Sequence, residues 1–529
     1  MTTHITIRRL RGLFAVIAFS LASAIQADTL ELTEASIADL QAAMEKGTLT
    51  AEALTKMYLA RIEAYDEKGP KINAILAINP KALEIARALD AERKQKGPRS
   101  PVHGIPVIVK DVFDTYDMPT TGGYLPLKDV IPAQDSTIVK RLRDSGAVIL
   151  AKVNQSDWYG QPDIMASSTL GGSTLNPFAL DRTPGWSSAG TGAGLAAHFG
   201  KIGLGSETGF SIRTPTSDSN LFGLSTTSGL ISRSGQMWSY ITGERGGPMN
   251  HSMYDLAVTL DVIAGFDSAD LWTANSLGKM PEKPYVSFLD KNGLKGARVG
   301  VLKEAWDFSP VDPQVIEMAK AAIKVFSDNG AKVFEPVSLN MDLVNYLAIN
   351  SSPSRYERIA AINAYLAHQG PDYPFKNAEQ LLLNHPGVPG RPNDAEALKN
   401  PIDLDRDPGY RATLEGRIAL RDMVVALMDR YQLDALIFPH KLAGPLKIGP
   451  RNDKERQYTP NQLSPNTGLP ALIVPMGFTK KGLPVGLEIL GRPWSEPTLI
   501  KLGSGFEAVT DNRKVPKTTP ALEVEKIVY

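Results

Sequence analysis

The chain has 529 residues, 43% hydrophobic and 22% charged, enough apolar material for a large core; this composition excludes an intrinsically disordered chain. Lys plus Arg and Asp plus Glu number 57 each, so no bulk field draws the chain to nucleic acid or to an anionic membrane. Cysteine is absent, which excludes a disulfide framework, a thiol nucleophile and a thiolate metal site.

The N-terminus carries Arg8, Arg9 and Arg11, then the apolar run "LFAVIAFSLASA" with a small-residue exit at Ala22-Ser23-Ala24. These are the parts of a secretory signal peptide, and the run is short of the roughly 20 residues that span a membrane. Residues 1–27 are therefore expected to be a signal peptide cleaved after Ala24 or Ala27, with the mature protein in the periplasm or secreted. An amphipathic anchor or an ordinary first helix is the alternative. Stable membrane insertion is not expected. Removal of 1–27 takes away three Arg and no acid, moving the formal charge from 0 to −3.

Residues 31–66 read as two helices, the second starting after Thr50 as N-cap, with Leu54, Met57, Tyr58 and Ile62 as its apolar stripe. Residues 79–97 read as a third. From about 105 the pattern changes to short apolar runs: "IPVIVK", "AVILAKVN" after the helical "DSTIVKRLRDSG", then "KIGLGSE", "GARVGVLKE", "AKVFEPV", "LDALIFP" and "PALIVPMG". Short apolar strands alternating with helices predict an α/β fold with a mixed, mostly buried sheet covered by helices on both faces. Residues 345–430 are mostly helical around a Pro-, Gly- and Asp-rich stretch, and read as a helical insert or cap, or else a peripheral helical layer. Residues 28–529 otherwise read as one domain.

The stretch "GWSSAGTGAG" at 185–194 raises the question of function. A dinucleotide loop requires G-x-G-x-x-G, but here the glycines fall as G-x-G-x-G behind Pro-Gly-Trp-Ser-Ser, and no P-loop is present. The seven histidines (4, 103, 198, 251, 368, 385 and 440) are scattered without metal-ligand spacing. No cofactor or metal is expected. Acyl transfer needs a base for serine, and no G-x-S-x-G elbow exists. Lys110 closes the run "IPVIVK"; in a poorly hydrated site its amine is neutral and able to drive a serine through an intervening hydroxyl. A strand-end lysine in water is the competing reading.

Several stretches together resemble the amidase signature family: "HGIPVIVKDVFDT", "STLNPFALDRTPGWSSAGTGAG", "GLGSETGFSIRTP", "GPMNHSMYDLAVTLDVIAG" and "NTGLPALIVPMGFTKKGLPVGLEILGRP". The resemblance runs from about residue 32 to 515 and implies that family's fold and its Ser–cis-Ser–Lys triad. By it, Lys110 is the base, Ser187 the serine with the cis peptide bond, and Ser211 the nucleophile that forms an acyl-enzyme from an amide. Backbone N–H groups in Thr208, Gly209, Phe210 and Ser211 face the oxyanion. Ser188, Arg213, Asp111 and Glu207 support the site, Ser188 partly as a helix cap. The family usually has Asp at Glu207 and Gly at Phe210 and Trp186. The two rings suggest an aromatic wall and an apolar or aryl amide. Trp158, Tyr159, Phe438 and His440 are further candidates for the substrate pocket. The expected partner is a small-molecule amide, with no nucleic acid; a homodimer is compatible with the sequence. An esterase or carbamate hydrolase using the same triad, and a non-catalytic or amidotransferase-like assembly subunit, are the alternatives.

Overall fold

A computed structural model describes Met1 and residues 29–157, 166–383, 385, 392–449 and 461–528. The expected signal peptide lies outside the described residues, as do Trp158 and Tyr159.

The main sheet has eleven strands among the described residues. In chain order they are β1 (Ile75–Ile78), β2 (Pro106–Lys110), β3 (Val148–Val153), β4 (Ile202–Glu207), β5 (Phe222–Ser225), β6 (Arg245–Asn250), β7 (Arg298–Leu302), β8 (Lys332–Val337), β9 (Ala435–Pro439), β10 (Ala471–Phe478) and β11 (Pro484–Leu490). Their spatial order is β8-β7-β9-β11-β10-β5-β6-β4-β2-β3-β1. β4, β2 and β3 are parallel to one another, as are β8, β7 and β9; the strands between these groups pair antiparallel. The fold is therefore α/β with a mixed sheet. Every residue of β2, β3, β4, β5, β6, β9 and β11 is buried. Strands buried on both sides need cover on both sides, which the helices supply.

The local signals act as the sequence suggests. The first helix spans Ile37–Glu45, where Ser36 and Asp39 form a capping box. Thr50 caps Ala51–Ile62 through Ala53 N–H. The third helix is Ala82–Lys96. Residues 343–431 carry five helices, Leu343–Asn350, Ser354–His368, Ala378–Leu382, Pro392–Lys399 and Pro408–Tyr431, and no described strand. The apolar core has two parts. The larger gathers most of the sheet and the early helices; the smaller packs Leu302, Leu436 and Leu490 against Leu420, Val424 and Met428 of the long helix.

This layout fixes the site. In the parallel register Val107, Ile108 and Val109 lie opposite Ile202, Gly203 and Leu204. Lys110 thus finishes β2 beside the last residues of β4. Carboxyl ends of adjacent parallel strands are where α/β sheets open a crevice for chemistry.

Candidate active site

Lys110 is 2% exposed. Its Nζ donates to Ser187 Oγ at 2.7 Å, Ser206 Oγ at 2.9 Å and the Ser206 carbonyl at 3.3 Å. Among the described residues no carboxylate forms an ion pair with it. Burial pushes its pKa down to about 7, against the opposing pull of the Glu244 and Glu207 charges. A large fraction of this amine is therefore neutral near neutral pH.

The glycine run that follows Ser187 serves packing. The helix Ala189–Ala196 is buried along its whole length. A Cβ on Gly190 would stand 2.2 Å from the Asn154 carbonyl oxygen, and one on Gly192 2.8 Å from Ser219 Oγ and 3.0 Å from the Pro215 oxygen. Real side chains cannot occupy those positions, so glycine is what lets the helix reach the end of β3 and the segment after Ser211. Ser188 stands at the N-cap position without capping. Its hydroxyl instead donates to the Ser206 carbonyl at 3.1 Å and accepts the Ser206 N–H at 3.3 Å. The expected capping role is thus corrected: β4 competes for the hydroxyl and wins it.

Ser211 follows β4 after the loop 208–210 and precedes the helix Arg213–Asp218. It is 2% exposed. Two segments, 186–188 and 210–212, approach each other through their neighbours. The Trp186 and Phe210 rings touch, with centroids 5.4 Å apart. Ser188 Oγ and Ile212 both lie 3.2 Å from where a Cβ on Gly205 would stand. Ser187 and Ser211 sit between these two contacts.

A buried charge network holds the loop. Glu207 accepts Ile212 N–H at 3.0 Å, Arg213 N–H at 3.1 Å, Arg213 Nε at 2.9 Å and the Ser225 hydroxyl at 2.8 Å. Burial raises the Glu207 pKa, but the Arg213 and Arg245 charges outweigh it and hold the carboxyl at about 2. Arg213 also donates to Glu488, to the Gly209 carbonyl at 2.7 Å and to the Asn461 carbonyl at 2.8 Å. The Thr208 carbonyl accepts Tyr240 Oη–H, and the Phe210 carbonyl accepts Thr214 N–H. With three successive carbonyls tied, the loop's peptide planes are set. The N–H groups of Gly209 and Ser211 find no acceptor among the described residues.

Other expected residues sit elsewhere. Asp111 faces away from Lys110: it pairs with Lys152 at 3.0 Å and binds Thr121. Phe438 is fully buried in the smaller core and His440 is 1% exposed, so neither ring reaches an open surface. His440 Nδ1–H donates to Glu488 at 2.8 Å, which leaves Nε2 to accept the Thr214 hydroxyl at 2.8 Å. Burial lowers its pKa, so the ring is a neutral brace under the segment that follows Ser211. The structure thus places Phe438 in the smaller core and His440, just past β9, between Glu488 and Thr214. The cis bond expected at Ser187 is also absent. The cis peptides among the described residues are Ser309-Pro310 and Glu335-Pro336, both before proline, where cis is cheap. The Ser187 hydroxyl meets Lys110 on a trans peptide.

Sequence reasoning missed Ser206, Tyr240, Glu244 and Glu488. Ser206 had a signal, since it is the second-to-last residue of the strand that ends beside Lys110. The other three contact the loop only through the fold. No group of three or more His, Asp or Glu suited to a metal occurs among the described residues.

A family model described as Amidase matches residues 53–500. A glutamyl-tRNA(Gln) amidotransferase subunit of Myxococcus xanthus is 32% identical, covering 91% of this chain and 98% of its own. A probable amidase of Arabidopsis thaliana is 29% identical, covering 92% of both. The crystal structure of a peptide amidase from Stenotrophomonas maltophilia superposes with a TM-score of 0.81 at 33% identity, covering 92% of this chain and 99% of that one.

Proposed function

The chain belongs to the amidase family, and from that premise we propose that it hydrolyses a carboxylic amide through an acyl-enzyme on Ser211. Neutral Lys110 takes a proton from the Ser187 hydroxyl, which takes one from Ser211. Ser211 Oγ bonds to the amide carbon, and the oxyanion that forms is met by backbone N–H groups of 208–211. One such donor is worth about 3 kcal/mol in the transition state. The C–N bond then breaks, and the Lys110 ammonium returns its proton through Ser187 to the leaving amine. Water, deprotonated through the same relay, attacks the ester carbon; the bond to Ser211 Oγ breaks, the relay returns the proton to Ser211, and the carboxylic acid leaves.

The observation that carries this reading is the 2.7 Å contact between Ser187 Oγ and a buried lysine amine that forms no ion pair among the described residues. The Trp186–Phe210 pair supports an apolar or aryl group on the substrate, and the similarity to a peptide amidase supports an amide as its reacting bond. An esterase or carbamate hydrolase using the same triad is the alternative reading.

The test is intact mass after exposure to a fluorophosphonate. One adduct on the wild type, lost in Ser211→Ala, supports the nucleophile. Equal adducts on both overturn it.

A second reading follows from the Myxococcus xanthus relative: an amidotransferase-like subunit that releases ammonia for a partner. Hydrolysis of simple amides by the isolated chain favours the first reading. Glutamine hydrolysis only in the presence of partner subunits favours the second. The basic, apolar N-terminus supports export to the periplasm or beyond. A mature N-terminus at residue 25 or 28 in exported protein tests that. No helix among the described residues is long and apolar enough to cross a membrane.

A further inference from the structure

Thr208 opens the loop that ends at Ser211, and it is held at both of its polar ends by one segment, 239–244. Its carbonyl accepts the Tyr240 hydroxyl at 3.1 Å. Its own hydroxyl donates to Glu244 Oε2 at 2.8 Å. The same carboxylate oxygen accepts Ser239 N–H at 3.2 Å, closing the segment on itself.

That segment is gripped in turn from the helical region. Glu357, on the helix Ser354–His368, accepts Ile241 N–H at 2.6 Å, Thr242 N–H at 2.8 Å, the Thr242 hydroxyl at 2.8 Å and the Tyr410 hydroxyl at 2.7 Å. Arg417, on the helix Pro408–Tyr431, donates to Thr242 Oγ1 at 2.8 Å and its carbonyl at 3.2 Å, and to the carbonyls of Pro465 and Asn466. Glu357 is fully buried and Tyr240 is 1% exposed. Burying a carboxylate costs several kcal/mol before its donors offset it, and an apolar residue of the same volume often stabilises as well. What the acid supplies that a hydrocarbon does not is direction: two consecutive backbone N–H groups and a hydroxyl are pinned to one carboxylate.

We infer that Glu357, Tyr240 and Glu244 are positioning residues for attack at Ser211, the helical region 343–431 fixing segment 239–244 and that segment fixing both ends of Thr208. The inference rests on the reading of Ser211 as nucleophile. A displacement of a reacting geometry by about 1 Å costs on the order of a hundredfold in rate. The chain of contacts therefore lets a helical region whose described residues make no hydrogen bond to Lys110, Ser187 or Ser211 tune the reaction.

The experiment is the rate of Ser211 labelling by a fluorophosphonate, whose phosphoryl oxygen occupies the place of the oxyanion. It is measured across pH in wild type, Tyr240→Phe, Glu357→Gln, Glu244→Gln and Ser211→Ala. Each variant is assayed at a temperature where circular dichroism shows it folded, so lower melting alone does not mimic the effect. Tyr240→Phe and Glu357→Gln are expected to label about tenfold more slowly with an unchanged pH midpoint, since neither is a charge facing Lys110. Glu244 and Glu207 are the charges that face it. Glu244→Gln is expected to slow labelling and also to move the midpoint down, because an anion near the amine is gone. Labelling of Tyr240→Phe and Glu357→Gln within about twofold of wild type, with Ser211→Ala unlabelled, overturns this inference alone. A wild type that does not label, or a Ser211→Ala that labels equally, overturns the nucleophile and this inference with it.

Discussion

Lys110 and Lys152 lie on adjacent parallel strands, almost in register, and both are buried to 2% exposure or less. Their surroundings differ. Lys152 Nζ has a carboxylate, Asp111, at 3.0 Å, and donates to the Phe113 and Pro119 carbonyls and the Thr120 hydroxyl. Its ammonium is neutralised and its donors are used. Lys110 Nζ has two serine hydroxyls and one carbonyl. The same residue on neighbouring strands is thus a structural cation in one place and, in the proposed mechanism, the base in the other. What separates them is whether a carboxylate was placed within reach, and Asp111, directly after Lys110 in sequence, is turned to serve the other lysine.

The sharpest way to break this contrast is to remove each amine in turn. Lys110→Met is expected to lower amide kcat/KM by about a thousandfold. The melting temperature should hold or rise, because an unpaired buried amine is replaced by hydrocarbon. Lys152→Met should do the reverse, leaving Asp111 buried without its cation and costing about 3–5 kcal/mol in chemical denaturation. Its labelling rate per folded molecule should fall far less than that of Lys110→Met. A Lys110→Met enzyme that keeps its rate, or a Lys152→Met protein that keeps its stability, would erase the distinction.

The pH dependence sharpens the same point at smaller amplitude. In the proposed mechanism the neutral amine is the active form, and it dominates above a pKa of about 7. Acylation should rise roughly tenfold between pH 6 and pH 8 and then level off. A rate that keeps climbing toward pH 10.5, the ordinary lysine value, would mean that burial does not lower the pKa of the group that acts. Stability carries the linked sign. The unfolded chain holds the Lys110 proton up to about 10.5 and the folded chain releases it near 7. Between those values the unfolded state binds more protons, so wild type should gain stability relative to Lys110→Met as pH rises through that window.

The contrast also explains what the sequence could and could not disclose. The run "IPVIVK" announces a buried strand ending in lysine, and the family resemblance assigns that lysine a base's role. Nothing local says that Asp111 points to Lys152, since the residue after a strand can turn either way. Strands that are mostly apolar, such as Val148–Val153 and Ala435–Pro439, are legible from their composition. Arg245–Asn250, "RGGPMN", is not: its glycines and proline oppose strand propensity, and tertiary packing overrides them. At Gly247 a Cβ would stand 2.3 Å from the Leu224 carbonyl oxygen, so close approach of β5 selects the glycine that hides the strand. Glu244, Glu357 and Glu488 escape for another reason. Their partners are 36, 115 or 116, and 275 residues away, and no local pattern encodes such pairings.

The smallest effect concerns the half-buried aromatic pair that flanks the serines. Trp186 and Phe210 meet at 5.4 Å with planes inclined by 55°, an arrangement that gives two rings a shared apolar surface beside Ser187 and Ser211. Phe210→Gly removes one ring and adds backbone freedom next to the nucleophile, so absolute rates on every substrate should fall. The ratio of rates on an aryl amide and a small aliphatic amide cancels that common loss. If the pair is a substrate wall, the ratio should drop by about tenfold, the scale on which an apolar pocket discriminates by a small group. If Phe210 only packs behind the loop, both rates should fall together and the ratio should stay put. An enlarged ratio would mean that the ring obstructs aryl substrates, and would reverse the reading of why glycine was replaced at this position.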